Sequence, residues 1–152
     1  MKQKIILSSL AFALASGFAF NAFAQTKPDV LVKQRQAAMT LQGKYLGPLG
    51  GMAAGRVPFD LAVVTRNATY LETLTKLAWD GFNPSTSGEK SAALPVVYSD
   101  AAKFKQASDL LQTEVGKLVT AAKGGNEADI KAAIGAVGKA CGNCHDNFRA
   151  KS

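Results

Sequence analysis

Residues 126–148 read NEADIKAAIGAVGKACGNCHDNF, a stretch that ends shortly after two cysteines and a histidine. Asn126 is a favourable helix N-cap, and Glu127 and Asp129 suit the first turn because carboxylates complement the positive end of the helix dipole. Apolar side chains then recur at helical spacing on one face, namely Ile130, Ile134, Val137, Cys141, Cys144 and Phe148. The stretch therefore predicts a long helix with one buried face.

The sequence CGNCH at residues 141–145 is the attachment signature of a c-type haem. In such a site the thiols of Cys141 and Cys144 bond the haem vinyl groups, and the imidazole of His145 is an axial ligand of the iron. Spacings of three and four residues bring all three side chains onto one face of a helix. We therefore expect one covalently bound haem c on the last helix of the chain.

Other uses of a cysteine pair fit this chain less well. A structural zinc site takes four ligands, but the chain contains two cysteines and one histidine, so acidic side chains or water would have to complete the shell. A thioredoxin-like pair follows a strand in a βαβ unit, whereas the residues around Cys141 follow helical periodicity. A chance match without haem is the remaining alternative, because short motifs carry a false-positive risk.

Residues 1–24 have the pattern of a secretory signal peptide. Lys2 and Lys4 give a basic start, an apolar run follows, and Ala-Phe-Ala at residues 22–24 is an A-x-A cleavage site. The apolar run is short for a spanning helix, so we expect export without membrane insertion after cleavage; a retained anchor is the alternative. One domain of residues 25–152 is then expected outside the cytoplasm.

The net charge of the chain limits the kinds of partner that it is expected to bind. The 18 Lys and Arg residues against 11 Asp and Glu residues give a formal net charge of +7, part of which belongs to the signal peptide. The sequence has no basic run with interleaved aromatic residues and no recognisable nucleic-acid-binding motif. We therefore expect no nucleic-acid partner, and the mild positive charge favours solubility and acidic partners.

Three further helices are predicted upstream of the haem motif. The first begins at Pro28 and ends near Gly47–Pro48, and the second runs from Pro58 to Ala78. Residues 81–88 contain too many turn formers for helix or strand, and the connection extends to Tyr98; Ser99 then caps a third helix that ends at Gly124–Gly125. With no alternating strand pattern, the chain predicts an all-α fold, an antiparallel four-helix bundle that holds the haem among its helices.

Several segments together resemble cytochrome c′, the high-spin class II cytochromes c. The resemblance rests on the C-terminal haem motif followed by Asp146 and Arg149, and on an early segment RQAAM at residues 35–39. It also includes the stretch from Ala78-Trp79 to Phe82 and the segment SDAAKF at residues 99–104. The similarity covers essentially all of the expected mature chain.

The resemblance implies a homodimer of four-helix bundles in the bacterial periplasm, with a five-coordinate haem whose open face binds nitric oxide or carbon monoxide. It implies haem-edge or propionate contacts for Arg35 and Gln36, a distal position for Met39 and a place beside the proximal histidine for Arg149. It also implies that the loop before the third helix contacts the propionates. Thr86 and Glu89 are the candidates in that loop.

The sixth coordination position of the iron decides between two functions. His145 is the only histidine, so the available soft ligands are Met39 and Met52. Met52 is expected to be a surface or packing residue, because methionine often fills gaps. Met39 either bonds the iron and makes a low-spin electron carrier, or caps an open site that binds gas molecules.

We expect a protein that binds nitric oxide or carbon monoxide and exchanges electrons with periplasmic redox proteins. An enzymatic role such as peroxidase activity normally needs a distal base beside the iron, and no second histidine is available to act as one. We therefore expect no enzyme. Trp79, Phe82, Tyr98 and Phe104 are expected to pack in the core or at the haem edge.

Overall fold

The computed structural model describes residues 26–151, so the predicted signal peptide lies outside the described residues. The structure is built from four long helices and one short one. Their bounds are Pro28–Ala53 for α1, Leu61–Leu74 for α2, Val96–Ser99 for α3, Ala101–Gly124 for α4 and Glu127–Phe148 for α5.

The four long helices form a bundle in which each packs against two neighbours. Helix α1 lies against α2 and α5, and α4 lies against the other side of α2 and α5. Their apolar faces enclose one core, whose fully buried side chains include Leu49, Leu71, Val115, Leu118, Ile130 and Val137. The described residues contain no strand beyond a single bridge between Ala93 and Arg149. The predicted four-helix bundle is confirmed.

Side-chain caps start three of the long helices. The Asp60 carboxylate accepts a hydrogen bond from the Val63 amide at 3.0 Å, and Asn126 caps α5 as predicted. The cap of α4 is Asp100, which accepts from the Lys103 amide at 3.1 Å. The prediction of Ser99 as this cap was wrong by one residue, because Ser99 closes the separate turn α3.

Helix α1 continues past the point where the sequence predicted its end. Pro48 lies inside the helix, which ends at Ala53. Proline removes one backbone hydrogen bond and destabilises a helix interior, but the residues after it bury apolar side chains. Leu49 is fully buried and Met52 is 7% exposed within the core. Burial of these side chains therefore outweighs the helix-breaking tendency of Pro48. Met52 is a packing residue, as expected.

The second helix ends earlier than predicted, at Leu74 rather than Ala78. The Thr75 hydroxyl donates back to the Leu71 carbonyl at 2.9 Å, and the Trp79 indole nitrogen donates to the Thr75 carbonyl. These bonds satisfy two backbone carbonyls at the end of the helix. The following connection contains 3₁₀ turns at Trp79–Phe82 and Pro84–Thr86 and then α3. The prediction that residues 81–88 contain no helix was therefore wrong, because short 3₁₀ turns form there.

Within the part of the chain that the structure describes, no helix is both long enough and apolar enough to cross a membrane.

Candidate haem site

A cavity of about 750 Å³ opens between α1, α5, the start of α4 and the connection after α2. Its walls contain seven of the nine site residues that the sequence predicted: Arg35, Gln36, Met39, Cys141, Cys144, His145 and Arg149. Most of the remaining wall is apolar and is formed by Leu46, Trp79, Phe82, Phe104, Leu111 and Phe148. The fold thus brings residues separated by more than 100 positions in the sequence to one site.

The last turns of α5 bring the CGNCH motif to the cavity wall, as its helical spacing predicted. Burial raises the pKa of the Cys141 thiol, and burial followed by the neighbouring Cys141 raises that of Cys144. Burial lowers the pKa of His145, the Arg149 guanidinium lowers it further, and Asp146 opposes the change. The environment therefore favours a neutral imidazole, the form that binds a metal.

The Arg35 side chain is 3% exposed and is held by the connection between α2 and α4. Its Nη1 donates to the Gly81 carbonyl, to the Thr86 hydroxyl at 3.2 Å and to the Tyr98 hydroxyl at 3.1 Å. Its Nη2 donates to the Ser91 hydroxyl at 2.8 Å. All four acceptors are neutral.

Arg35 is therefore a buried cation without a carboxylate partner among residues 26–151. A guanidinium has five N–H donors, and a carboxylate is often bound by two of them side by side. The bonds of Arg35 to the connection leave Nε and one hydrogen of Nη2 without a partner in the described residues. Because Arg35 lines the cavity, a carboxylate inside it, such as a haem propionate, fits these donors.

Thr86 and Glu89, the two loop residues predicted to contact propionates, do not line the cavity. Thr86 is fully buried behind Arg35, where its hydroxyl contacts Arg35, Gly81 and Tyr98. Glu89 is half-buried in the loop that follows. Thr86 thus holds the Arg35 guanidinium through a hydrogen bond, and Glu89 does not contact the cavity.

Sequence reasoning missed three contributors to the Arg35 environment. Ser91 carried no recognisable motif, Gly81 entered only as part of the Trp79–Phe82 stretch without a role of its own, and Tyr98 was predicted only to pack. The Tyr98 hydroxyl instead bonds Arg35 and the Thr86 carbonyl. The density of hydroxyl-bearing residues in the connection was the one available signal, because a buried guanidinium needs several acceptors.

The aromatic residues at the cavity pack as the sequence predicted. The rings of Phe82 and Phe104 have centroids 4.8 Å apart, and those of Phe104 and Phe148 are 5.2 Å apart in an edge-to-face arrangement. Trp79 lies 5.9 Å from Phe104 and directs its N–H to a backbone carbonyl. This cluster provides an apolar wall for a flat, apolar group.

The chain after α5 is fastened to the connection before α3. The Leu94 amide donates to the Phe148 carbonyl at 2.9 Å, and the Ala150 amide donates to the Ala92 carbonyl at 2.8 Å. Between these bonds, Arg149 forms an antiparallel bridge with Ala93. This short pairing, which we call the C-terminal clip, brings Arg149 to the wall beside His145.

The residues present fit a haem. Two thiols and an imidazole on one helix suit covalent attachment and iron binding, aromatic rings form the wall, and a buried guanidinium can receive a propionate. A four-helix bundle with this donor set at the C-terminal end of its last helix defines the class of bundle-type c cytochromes.

Comparison with known proteins identifies the family within this class. The sequence matches the family described as Cytochrome C' over residues 30–149. It is 44% identical over 126 residues to cytochrome c' of Rubrivivax gelatinosus, covering 82% of this chain and 98% of that one. It is 40% identical over 125 residues to the Alcaligenes xylosoxydans xylosoxydans protein, covering 82% and 97%. The chain belongs to the cytochrome c′ family, whose cofactor is covalently bound haem c.

Solved structures of relatives share the fold. The crystal structure of cytochrome c' from Rubrivivax gelatinosus aligns with a TM-score of 0.78 at 43% identity, covering 82% of this chain and 98% of that one. A nitric oxide complex of a variant of cytochrome c prime from Alcaligenes xylosoxidans aligns with a TM-score of 0.78 at 39% identity, covering 84% and 98%. The second comparison shows nitric oxide bound within this fold.

Proposed function

We propose that this protein is a periplasmic, five-coordinate, high-spin haem protein that binds nitric oxide and carbon monoxide and exchanges electrons with other periplasmic proteins. In this proposal Cys141 and Cys144 form the thioether bonds and His145 is the axial ligand. Arg35, with Gln36 at the cavity edge, binds a propionate. Met39 lies on the distal side.

The observation that carries the proposal is the composition of the cavity wall. His145 supplies the one imidazole, and no acidic side chain or lysine of the described residues lines the cavity. On α1, the wall offers the Met39 thioether and apolar surface, together with the polar groups of Arg35, Gln36, Thr40 and Gln42. A haem bound to His145 would therefore meet no strong nitrogen or oxygen ligand on its other face, which leaves room for a small gas molecule.

Met39 supports a second candidate, a low-spin electron carrier with His145 and Met39 as axial ligands. Met39 is half-buried and lines the same cavity as His145, so a thioether is available on the wall formed by α1. A methionine ligand would raise the reduction potential and close the site to gases. The two candidates differ in the spin state of the ferric iron. They also differ in whether removal of the Met39 thioether changes that spin state.

The test is the paramagnetic resonance spectrum of the ferric protein, together with binding of carbon monoxide and nitric oxide by the ferrous protein. We expect a high-spin ferric signal that Met39→Leu leaves high-spin, and binding of both gases. Met52→Leu is the matched control, because Met52 is a core methionine outside the cavity. A low-spin signal that Met39→Leu alone abolishes would favour the second candidate.

A non-enzymatic role is part of the proposal. Peroxide chemistry normally uses a distal acid–base group, and the described cavity wall offers neither a second histidine nor a carboxylate. We expect peroxidase turnover no faster than that of free haem. Turnover far above that level would overturn this part of the proposal.

Self-association into a homodimer is also proposed. Helices α1 and α2 expose large apolar side chains, among them Leu41 at 39% and Tyr70 at 44%. The Tyr70 ring packs against Tyr45 with centroids 4.9 Å apart, so an aromatic contact joins α1 and α2 beside the exposed Tyr70. Sedimentation equilibrium should give a dimer for the wild type and a monomer for Tyr70→Lys.

A further inference from the structure

The Ser91 hydroxyl lies between Arg35 and the C-terminal clip. Its oxygen accepts a hydrogen bond from Arg35 Nη2 at 2.8 Å and a second one from the Ala93 amide at 3.3 Å. A hydroxyl oxygen has two lone pairs, so these two donors occupy both of them. One side chain of the connection therefore contacts a cation of α1 and the backbone of the clip at the same time.

Ser91 binds the Arg35 guanidinium at a different nitrogen from the other acceptors. The three other acceptors all bond Nη1, whereas Ser91 bonds Nη2. A guanidinium is planar and rigid, so hydrogen bonds at one nitrogen alone leave it free to turn about that nitrogen. The bond to Ser91 supplies a second fixed point, and it thereby sets the direction in which Nε and the remaining Nη2 hydrogen point.

Ser91 also holds the start of the clip. The Ala93 amide that bonds the Ser91 hydroxyl belongs to the residue that forms the antiparallel bridge with Arg149. Ser91, Ala93 and Arg149 all line the cavity. The position of Arg149 therefore depends on the same short segment that orients Arg35.

We propose that Ser91 is a positioning residue that couples Arg35 to the C-terminal clip. Its two hydrogen bonds keep the Arg35 guanidinium and the clip that carries Arg149 in place together. The inference rests on the proposed function, in which Arg35 binds a haem propionate. Two consequences follow: loss of Arg35 loosens the clip, and loss of the Ser91 hydroxyl changes the haem reduction potential without any change in the iron ligands.

Hydrogen exchange of the Leu94 amide tests the coupling, because this amide donates to the Phe148 carbonyl at 2.9 Å within the clip. The haem-loaded wild type is compared with Ser91→Ala, Arg35→Leu and the double variant. Exchange at Leu94 should become about fivefold or more faster in Ser91→Ala, as expected for the loss of a hydrogen bond that holds the clip. Arg35→Leu should also make it faster, by a smaller factor.

The double variant separates coupling from two independent effects. Its Leu94 amide should exchange no faster than that of Ser91→Ala, because the hydroxyl that joins the two sites is already absent. The amide of Val115, a fully buried residue of α4, reports global unfolding. Changes at Leu94 are therefore measured relative to those at Val115.

The haem reduction potential is a second measurement, which a merely structural role of Ser91 would not move. A cation held near the haem favours the reduced iron, so Ser91→Ala should lower the potential. Ser91→Thr keeps the hydroxyl and should restore both the potential and the slow exchange. Ser87→Ala is the matched control, because Ser87 is an exposed serine of the same connection outside the cavity, and it should change neither quantity.

Equal Leu94 exchange in the wild type and Ser91→Ala would overturn the coupling, and so would two factors that multiply in the double variant. A potential that Ser91→Ala leaves unchanged would overturn the role of Ser91 in positioning Arg35. Both comparisons can be made whatever the spin state of the iron. A low-spin ferric signal or a failure to bind carbon monoxide would therefore overturn the proposed function separately.

Discussion

The guanidinium carbon of Arg35 lies 4.3 Å from the centroid of the Phe82 ring, at the edge of the haem cavity. A cation on an aromatic face gains about 2 kcal/mol when both are removed from water. The hydrogen bonds to the connection between α2 and α4 fix the same group from other directions. Arg35 therefore ties α1 to the connection and holds a positive charge at the cavity wall.

Arg35→Leu should both destabilise the protein and lower the haem reduction potential. Loss of the guanidinium leaves buried acceptors unpaired, which should reduce the free energy of unfolding by about 1–3 kcal/mol. A nearby cation favours the reduced iron, so its removal should lower the potential. Urea unfolding and potentiometric titration measure the two effects.

Arg66→Leu is the control for Arg35, since Arg66 is an exposed residue of α2 away from the haem cavity. It should change both quantities little. If the two variants had equal potentials, the assignment of Arg35 to the haem edge would be wrong.

Gly81→Ala should destabilise the protein by about 1–3 kcal/mol, because the added methyl group would overpack a close contact. A Cβ at this position would lie 2.7 Å from Arg35 Cβ and 2.8 Å from the Leu31 carbonyl oxygen. Gly88→Ala, in the same connection, has open space around the added atom and should be nearly neutral. Thermal unfolding of the two variants compares them, and similar melting temperatures would contradict the close contact.

Ala150→Pro should open the C-terminal clip, because it removes the amide that donates to the Ala92 carbonyl. The preceding residue, Arg149, has extended backbone angles that tolerate a following proline. The loss should be about 1 kcal/mol of stability, and hydrogen exchange of the Leu94 amide should become faster. Lys151→Pro serves as the control, and equal exchange rates in both variants would show that the clip does not depend on this bond.

Pro48→Ala should stabilise the protein by about 1–3 kcal/mol, because proline in a helix interior removes a backbone hydrogen bond and strains the preceding turn. Pro48 is exposed, so the change sacrifices no core contact. Pro28→Ala, at the start of the same helix where proline is well tolerated, should have little effect. Chemical unfolding of both variants tests the difference, and a loss of stability in Pro48→Ala would contradict the prediction.

Local signals in the sequence predicted much of this molecule. The cap at Asn126 and the cysteine and histidine positions of α5 depend on residues within one or two turns of each other. Their spacing alone places Cys141, Cys144 and His145 on one face. The predicted start of α1 at Pro28 agrees with the structure for the same reason, whereas α2 begins at Leu61, three residues after the predicted start at Pro58.

The ends of helices were less predictable. The prediction that α1 stops at Pro48 was wrong because burial of Leu49 and Met52, which depends on distant helices, outweighs the local cost of proline. The prediction of Ser99 as a cap was wrong because the preceding turn α3 takes up that residue. At Pro48 and at Ser99, local sequence preferences allow more than one position for the helix boundary, and tertiary contacts decide which one forms.

The sequence by itself determined the haem motif, the helical class and the family resemblance, because each resides in short-range spacing. Only the tertiary structure decided what surrounds Arg35, since its partners Gly81, Ser91 and Tyr98 lie 46 to 63 positions away. It likewise decided that Ser91 contacts both Arg35 and the C-terminal clip. No local pattern encodes such contacts, because they exist only after the helices and the long connection have packed together.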